Sequence, residues 1–260
     1  MAGDVPFRIS GATVRADFNA PESVLHYARA AERVGLWQSE RLLIARHFPD
    51  RAAPLLEAGC GTGRVALALA AEGYADLTGF DFAEELLAHA RSFAAERGLR
   101  GVAFHHADAT DLDACPALAG RRYAGVLFPF NGLMQIPGRE RRRAALRGLH
   151  RLVAPGAPLL FTTHDRDDEP GERRHWARQA AVWARGEQDP SLLEFGDRYF
   201  VDDDGYRVFM HLPDRAEVLA DLAATGWTHE WDEMRRRVSP EPKTVRDFSD
   251  ECRFWLARRA

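Results

Sequence analysis

The 260-residue sequence contains few cysteines and a single lysine, Lys243. Cys60, Cys115 and Cys252 are too few and too scattered for a disulfide framework or a zinc cluster, so a reducing compartment is expected. No apolar run approaches the roughly 20 residues of a membrane-spanning helix, and the first residues lack the segments of a secretory signal. The sequence therefore predicts a soluble cytoplasmic protein without a membrane partner.

Motifs of several enzyme classes are also missing. No H-E-x-x-H or H-x-E…C-x-x-C pattern supports a metal site, and no G-x-S-x-G supports a serine hydrolase. The 39 acidic side chains and 35 lysines and arginines give a net charge of −4, which produces no global attraction for nucleic acid. The arginines at 139–143 are expected on the solvent-exposed face of a helix whose other face carries leucines. We therefore expect no nucleic-acid partner.

Strand-like and helix-like segments alternate along most of the chain and predict an α/β fold. Helices of this length between strands indicate βαβ units and a parallel sheet. The helix at 139–153 buries leucines on one face and ends before Pro155. The predicted strands are 54–57, 76–81, 102–108, 123–130, 159–164, 227–238 and 251–258, and the other predicted helices are 22–34, 38–47, 65–72, 84–97, 173–185 and 215–224.

Two segments do not follow this alternation. Residues 1–50 precede the predicted sheet, and residues 165–211 are charged and contain a hairpin that turns at 203–205. We interpret the second segment as an insertion over the carboxyl end of the sheet. The predicted division is an N-terminal helical lid (1–50), a core (51–164), a cap (165–211) and the C-terminal part of the core (212–260).

The most specific motif is EAGCGTGR at residues 57–64, between the first predicted strand and a helix. Its glycines let the backbone turn tightly and lie against a nucleotide-type ligand beside the helix N-terminus. The spacing G-x-G-x-G lacks the third glycine of the dinucleotide-binding pattern G-x-G-x-x-G. Glu57, two residues before the first glycine, suits a pyrophosphate poorly but is compatible with a cationic ligand.

Two further carboxylates stand at the ends of the next predicted strands. Asp81 ends the second strand, where it can accept hydrogen bonds from ribose hydroxyls. Asp108 ends the third strand, where it can accept from an adenine amino group. Either aspartate alone is equally well explained as a turn or helix cap. Acidic residues at three successive strand ends favour one common ligand.

These motifs resemble those of the class I S-adenosylmethionine-dependent methyltransferases. LLEAGCGTGR is similar to the glycine motif of that superfamily, GFDFAEELLAHAR to its second acidic motif, and HADATDL to its adenine-binding segment. The resemblance covers about residues 22–165. It implies a Rossmann-like, doubly wound, mostly parallel seven-stranded sheet with N-terminal helices and a small cap insertion. It also implies S-adenosylmethionine as cofactor and S-adenosylhomocysteine as product.

The resemblance further implies which residues contact the methyl donor. HYARAAERVGLWQSE is similar to N-terminal helices that close over the donor, where a tyrosine such as Tyr27 contacts it. Residues 166–211 match no substrate signature, so the resemblance does not extend to the acceptor. The residues expected at the donor are Glu57, Ala58, Gly59, Cys60, Gly61, Gly63, Arg64, Asp81, Phe82, Asp108, Ala109, Phe128 and Asn131.

Catalytic candidates lie next to the presumed acceptor pocket and are His164 and Tyr27. His164 ends the fifth predicted strand, where an imidazole can take a proton from a hydroxyl or ammonium acceptor. A backbone hydrogen bond is the competing interpretation of His164. Asn131 is equally well explained by a contact to donor or acceptor and by a turn. Residues expected mainly in the small core of the cap are Trp176, Tyr199, Tyr206 and His211.

The compact cap and the absence of a basic groove favour transfer of a methyl group to N or O of a small molecule. Three alternatives remain: methylation of a peptide or protein N-terminus, a nicotinamide-dependent oxidoreductase, and a donor-binding protein without catalysis. Glu57 and the G-x-G-x-G spacing count against the oxidoreductase. The sequence leaves open whether the protein is a monomer or a homodimer.

Overall fold

The computed structural model describes residues 7–201, 205 and 207–260, so the predicted turn at 203–204 and Tyr206 lie outside the described residues. Two short 3₁₀ segments lie at Ala109–Ala114 and Gly132–Gln135. The helices of the described chain are α1 (Gly11–Phe18), α2 (Pro21–Arg33), α3 (Gln38–His47), α4 (Arg64–Ala71), α5 (Glu84–Glu96), α6 (Arg139–Leu152), α7 (Pro170–Ala184), α8 (Arg215–Ala224), α9 (Arg235–Val238) and α10 (Lys243–Phe248). The strands are β1 (Leu55–Ala58), β2 (Leu77–Asp81), β3 (Val102–His106), β4 (Gly125–Phe128), β5 (Pro158–Thr163), β6 (Asp197–Val201), β7 (Arg207–His211), β8 (Trp227–Met234) and β9 (Arg253–Arg259).

Seven strands form the main sheet in the order β3-β2-β1-β4-β5-β9-β8. The first five are parallel, and β9 runs antiparallel between β5 and β8. This arrangement confirms the predicted mostly parallel, Rossmann-like fold. Strands β2 and β3 lie on one side of β1, and strands β4 and β5 lie on its other side. A crevice therefore forms at the carboxyl ends of β1 and β4, where ligands bind in folds of this kind.

The central strands are hydrophobic because helices cover both faces of the sheet. Leu56, Val126 and Leu159 of β1, β4 and β5 are fully buried. Leu146 and Leu149 of α6 belong to the same core, as their spacing predicts. The buried core holds the strand ends in fixed positions, and side chains just beyond those ends are placed accordingly.

The structure differs from the predicted elements in three places. The strand predicted at 227–238 ends at Met234, and α9 follows it directly. The strand predicted at 123–130 is shorter because Phe130 and Asn131 adopt left-handed backbone conformations, with φ of 55° and 58°. The sequence pattern does not predict α1 and α10, which have eight and six residues and are too short to show a helical repeat.

The cap consists of α7 and the antiparallel hairpin of β6 and β7, which is a separate two-stranded sheet. Trp176 and His211 are buried in it, in agreement with their expected place in a small core. Tyr199 is half-buried, and its hydroxyl donates a hydrogen bond to Asp17 of α1 at 2.8 Å. No helix within the described part of the chain is both long and apolar enough to cross a membrane.

The prediction of a solvent-exposed arginine face on α6 is wrong for Arg142. Its side chain is 1% exposed and lies 2.7 Å from the Glu194 carboxylate. Arg139 and Arg143 both bind Asp221 of α8. The sequence of α6 has the charge pattern of an exposed face, but α8 and the loop before β6 pack against it. The local charge pattern of a helix does not predict such packing between segments that are distant in the sequence.

Candidate active site

The glycine loop leaves β1 in a backbone conformation that favours glycine. Gly59 and Gly63 have φ of 60° and 80°. A Cβ on Gly59 would lie 2.9 Å from Phe128 Cε2, and one on Gly63 would lie 2.9 Å from Phe104 Cζ. The loop therefore packs directly on aromatic side chains of the sheet. Helix α4 begins at the next residue, which places its N-terminus beside the crevice.

Two of the three predicted carboxylates are buried at the ends of β1 and β2. Glu57 is 5% exposed and accepts a hydrogen bond from the Ala66 N–H at 2.8 Å. Asp81 is 6% exposed and accepts from the N–H groups of Gly61 and Ala83 at 2.8 and 2.9 Å. Burial raises the pKa of Glu57 to about 8 and also raises the pKa of Asp81, although these hydrogen bonds act in the opposite direction.

The third carboxylate, Asp108, follows β3 and is more exposed. Its Oδ1 accepts from the N–H and the hydroxyl of Thr110, at 2.8 and 2.7 Å, and so caps the 3₁₀ segment after β3. Arg141 of α6 lies 3.5 Å from its other oxygen. Both interpretations of Asp108 are therefore compatible with the structure, since it is a cap and also lies on the wall of the crevice.

The crevice encloses about 980 Å³ and is open to solvent. Most of the residues expected at the donor line it. Those on its wall are Glu57, Gly59, Cys60, Gly61, Arg64, Asp81, Phe82, Asp108, Ala109 and Phe128, together with Tyr27. We call this space the donor cleft.

Three of the expected residues do not line the donor cleft. Ala58 is fully buried within the sheet, and Gly63 packs against Phe104. Asn131 lies on the wall of a neighbouring cavity. Wall residues that the sequence analysis missed include Phe18, Phe130, Gln135, Ile136, Arg141 and Phe248. Two of these belong to α1 and α10, whose short sequences give no helical signal.

The N-terminal helices cover the donor cleft through specific contacts. The Thr62 hydroxyl in the glycine loop donates to the backbone oxygen of Tyr27 in α2 at 2.8 Å. Phe18 of α1 contacts the rings of Tyr27 and Phe82, with centroid separations of 5.5 and 5.8 Å. The lid is therefore attached both to the loop and to the segment that follows β2.

A second cavity, of about 2110 Å³ and open to solvent, adjoins the donor cleft beneath the cap. Tyr27, Phe130, Gln135 and Phe248 line both spaces. The rings of Phe130 and Phe248 stack at 5.4 Å, and Tyr27 meets Phe130 edge-on at 6.0 Å. Following the expectation from the sequence, we label the second space the acceptor cavity, and we call these shared aromatic rings the aromatic junction.

His164 and Asn131 lie side by side on the wall of the acceptor cavity. His164 Nδ1 is 2.9 Å from the Glu251 carbonyl oxygen, and its Nε2 is 3.2 Å from Asn131 Nδ2. Burial lowers the pKa of His164. Because a carbonyl only accepts, Nδ1 carries the proton, and Nε2 accepts from the asparagine amide. In its neutral form the imidazole therefore has its lone pair on Nε2, beside the Asn131 amide.

Comparison with known proteins agrees with this geometry. Residues 55–156 match the sequence family described as methyltransferase domain. Over 150 residues the chain is 28% identical to 2-heptyl-1-hydroxyquinolin-4(1H)-one methyltransferase of Mycobacteroides abscessus. The alignment covers 58% of this chain and 60% of that enzyme, so the match spans about three fifths of the relative's length.

Solved structures share the fold over almost the whole chain. Magnesium protoporphyrin IX methyltransferase from Synechocystis PCC 6803, with bound S-adenosylhomocysteine, is 18% identical, with a TM-score of 0.60 over 96% of this chain and 99% of that one. A structure described by the conversion of a disulfide bond into a thioacetal group during echinomycin biosynthesis is 26% identical, with a TM-score of 0.55 over 86% and 82%. The part of the chain from β1 past α6 therefore matches a methyltransferase domain, and it carries the glycine loop, Asp81 and Asp108.

Proposed function

We propose that this protein transfers the methyl group of S-adenosylmethionine to a nitrogen or oxygen atom of a small-molecule acceptor. The observation that carries the proposal is the grouping of Glu57, Asp81 and Asp108 at the ends of three adjacent parallel strands around one cleft. That cleft meets a second cavity at the aromatic junction. One space would hold the donor and the other the acceptor.

The side chains of the donor cleft fit a cationic adenosyl ligand. Glu57 is a buried carboxylate with no cationic partner within hydrogen-bonding distance among the described residues, and an ammonium group would offset the cost of its ionisation. Asp81 retains acceptor capacity for ribose hydroxyls, since a carboxylate has about four lone-pair sites. Asp108 would accept from the adenine amino group, with Phe82 and Ala109 on the same wall.

Positioning would supply much of the rate. When bound, S-adenosylmethionine supplies an electrophilic methyl group on a sulfonium, and the acceptor atom must meet it in line with the departing sulfur. The aromatic junction, including Tyr27, would align the two ligands and exclude water between them. Aromatic faces also attract a positively charged group, which favours the sulfonium at this position.

One wall of the acceptor cavity suits the apolar part of a small molecule, among otherwise mostly polar and charged residues. The hairpin of β6 and β7 presents Phe200, Val208 and Met210 to the cavity, a wall suited to an apolar ring or chain. The Mycobacteroides abscessus relative is named for a small heterocyclic substrate with an alkyl chain. We transfer from it only the expectation of a small organic acceptor.

Isothermal titration with S-adenosylmethionine, S-adenosylhomocysteine and NADH tests the donor assignment. We expect micromolar binding of the first two and none of NADH; the reverse result would favour an oxidoreductase and end the proposal. S-adenosylhomocysteine release should then be followed with small amines, small hydroxyl compounds and peptides. Turnover of peptides alone would replace the small-molecule acceptor by a peptide N-terminus, and binding without any turnover would favour a donor-binding protein.

A further inference from the structure

The acceptor cavity presents one basic nitrogen whose tautomer is fixed. The Glu251 carbonyl oxygen lies 2.9 Å from His164 Nδ1 and can only accept a hydrogen bond. The proton of the neutral imidazole is therefore on Nδ1. The lone pair of Nε2 then faces the Asn131 amide at 3.2 Å, a long contact for a hydrogen bond. The ring is therefore oriented before any ligand arrives, and an acceptor hydroxyl that reaches Nε2 would take the place of the Asn131 amide.

The partner of Nε2 is itself incompletely bonded. Asn131 is 4% exposed, and its Oδ1 is buried with no hydrogen-bond partner among the described residues. A buried polar atom left unpaired costs about 1–3 kcal/mol. Phe130 and Asn131 also hold consecutive left-handed backbone conformations, which residues other than glycine adopt only at some energetic cost. These conformations hold the Asn131 amide against His164 at the wall of the cavity.

The charges around His164 are compatible with a transient proton. Besides burial and the Glu251 carbonyl, the groups that act on its pKa are Asp250 after α10, Glu172 of α7 and Arg198 of β6. Arg198 pairs with Glu172 at 2.7 Å, so its opposing charge is largely balanced. The Asp250 carboxylate has no hydrogen-bond partner within the described residues and lines the same cavity. An imidazolium formed here would be stabilised by Asp250 and by its Nδ1–H bond.

A neutral imidazole is more useful to one class of acceptor than to the other. An amine that reaches the site unprotonated attacks through its free lone pair and can lose a proton to solvent afterwards, so it needs no base beside it during the transfer. A hydroxyl becomes strongly acidic as its oxygen is methylated, so a base in contact with it lowers the barrier, typically by a factor of 10²–10⁴. A base held in one tautomer beside the acceptor therefore favours a hydroxyl substrate.

We propose that the acceptor bears a hydroxyl group and that His164 Nε2 removes its proton during methyl transfer. The inference rests on the function proposed above. As the O–C bond forms, the C–S bond breaks and its electron pair stays on sulfur, while the O–H proton moves to Nε2. The products are the methyl ether, S-adenosylhomocysteine and an imidazolium, which later releases its proton to water through the open cavity.

The experiment pairs hydroxyl compounds with their amino counterparts, phenol with aniline and 4-hydroxyquinoline with 4-aminoquinoline. We expect turnover of hydroxyl members, and a 10²–10⁴-fold lower kcat for His164→Gln with S-adenosylhomocysteine affinity unchanged. The matched control is His105→Gln, since His105 is a half-buried histidine of β3 that lines neither cavity. Its kcat should stay within about twofold of wild type.

Acceptor ionisation separates a catalytic role of His164 from a structural one. For ring-halogenated acceptors that are already ionised at the assay pH, the loss caused by His164→Gln should shrink towards none. Turnover confined to amines, or an equal loss for ionised and neutral hydroxyl acceptors, would overturn this inference and leave the proposed methyl transfer intact. Failure to bind S-adenosylmethionine would instead overturn the proposed function itself.

Discussion

Arg64 donates two hydrogen bonds to the Glu40 carboxylate, at 2.6 and 2.7 Å, and a third to the Gly35 carbonyl at 2.6 Å. Both charged side chains are buried. Glu40 also accepts from the Trp37 N–H at the start of α3. The pair thus joins the first residue of α4, directly after the glycine loop, to the N-terminal lid. Arg64 lines the donor cleft, but the strongest contacts of its guanidinium are structural.

Substitution of Arg64 by Ala should destabilise the protein by about 3–5 kcal/mol, because it leaves the Glu40 carboxylate buried without its cation. Urea unfolding measures the loss. The matched control is Arg41→Ala, since Arg41 forms an exposed pair with Glu72 and such pairs contribute about 0–1 kcal/mol. Equal effects of the two substitutions would contradict the importance given to the buried pair.

Asp81→Asn should weaken S-adenosylhomocysteine binding about 10- to 150-fold. A hydrogen bond to a charged acceptor is worth about 1.5–3 kcal/mol, and the amide also places its NH₂ group opposite the N–H of either Gly61 or Ala83. Titration calorimetry measures the affinity. Asp76→Asn, just before β2 at the opposite end of the strand, should leave it within about twofold. Unchanged binding by the Asp81 variant would remove this residue from the donor site.

Glu57 should make the ligand-free protein less stable as pH rises. Burial raises its pKa from 4.5 to about 8, so between these values the folded protein holds a proton that the unfolded chain has released. The free energy of unfolding then falls by up to about 1.4 kcal/mol per pH unit across this window. Glu57→Gln should remove that decline, which urea unfolding between about pH 5 and pH 8 measures. Parallel curves for variant and wild type would refute the assignment.

The same carboxyl group should link donor binding to pH. A cationic ligand favours the ionised form of Glu57, so binding near pH 7 should release a proton. Calorimetry in buffers of different ionisation enthalpy measures the proton, and Glu57→Gln should abolish the release as well as weaken binding of S-adenosylmethionine. Identical proton release by the variant would mean that another group titrates.

His211 should stabilise the cap in a pH-dependent way. Although burial opposes protonation, Asp197 and Glu217 accept from its two ring nitrogens at 2.9 and 2.8 Å and raise its pKa above 6.5. The stabilisation is therefore complete below about pH 6.5 and is lost as pH rises through the higher folded-state pKa. His211→Gln should cost about 3–5 kcal/mol at low pH and less at high pH.

Urea unfolding near pH 6 and pH 9 measures this dependence. His175→Gln on α7 is the control. Because burial lowers the pKa of His175, its contribution to the free energy of unfolding should not fall as pH rises. A loss for the His211 variant that does not change with pH would show that packing, and not charge, explains the effect. The buried Arg142 guanidinium, which lies 3.3 Å from Glu217 and 2.7 Å from Glu194, already supplies a permanent positive charge there.

Much of the donor cleft was predictable because its signals are local. The βαβ alternation reflects hydrophobic periodicity, which predicts the parallel arrangement of β1 to β5 but not their order in the sheet. The glycine spacing at 57–64 reflects backbone conformations that favour glycine. Asp81 and Asp108 follow strands whose ends are fixed by the sheet. The local sequence therefore also determines where the residues next to these elements lie.

Other parts of the site depend on packing between residues far apart in the sequence. Phe18 and Phe248 reach the cleft from helices too short to be recognised, and Arg142 is buried only because α8 and the cap cover it. Asn131 was expected at the donor, but a left-handed turn places it beside His164 in the acceptor cavity.

The positions of the glycine loop and its acidic partners were thus determined by the sequence, because glycine spacing and strand ends are local features of the chain. What surrounds the acceptor was decided by the tertiary structure, because the lid, the cap and α10 meet there from distant parts of the chain. Side chains such as His164 and Glu251 become neighbours only when those segments pack. No local pattern specifies such contacts.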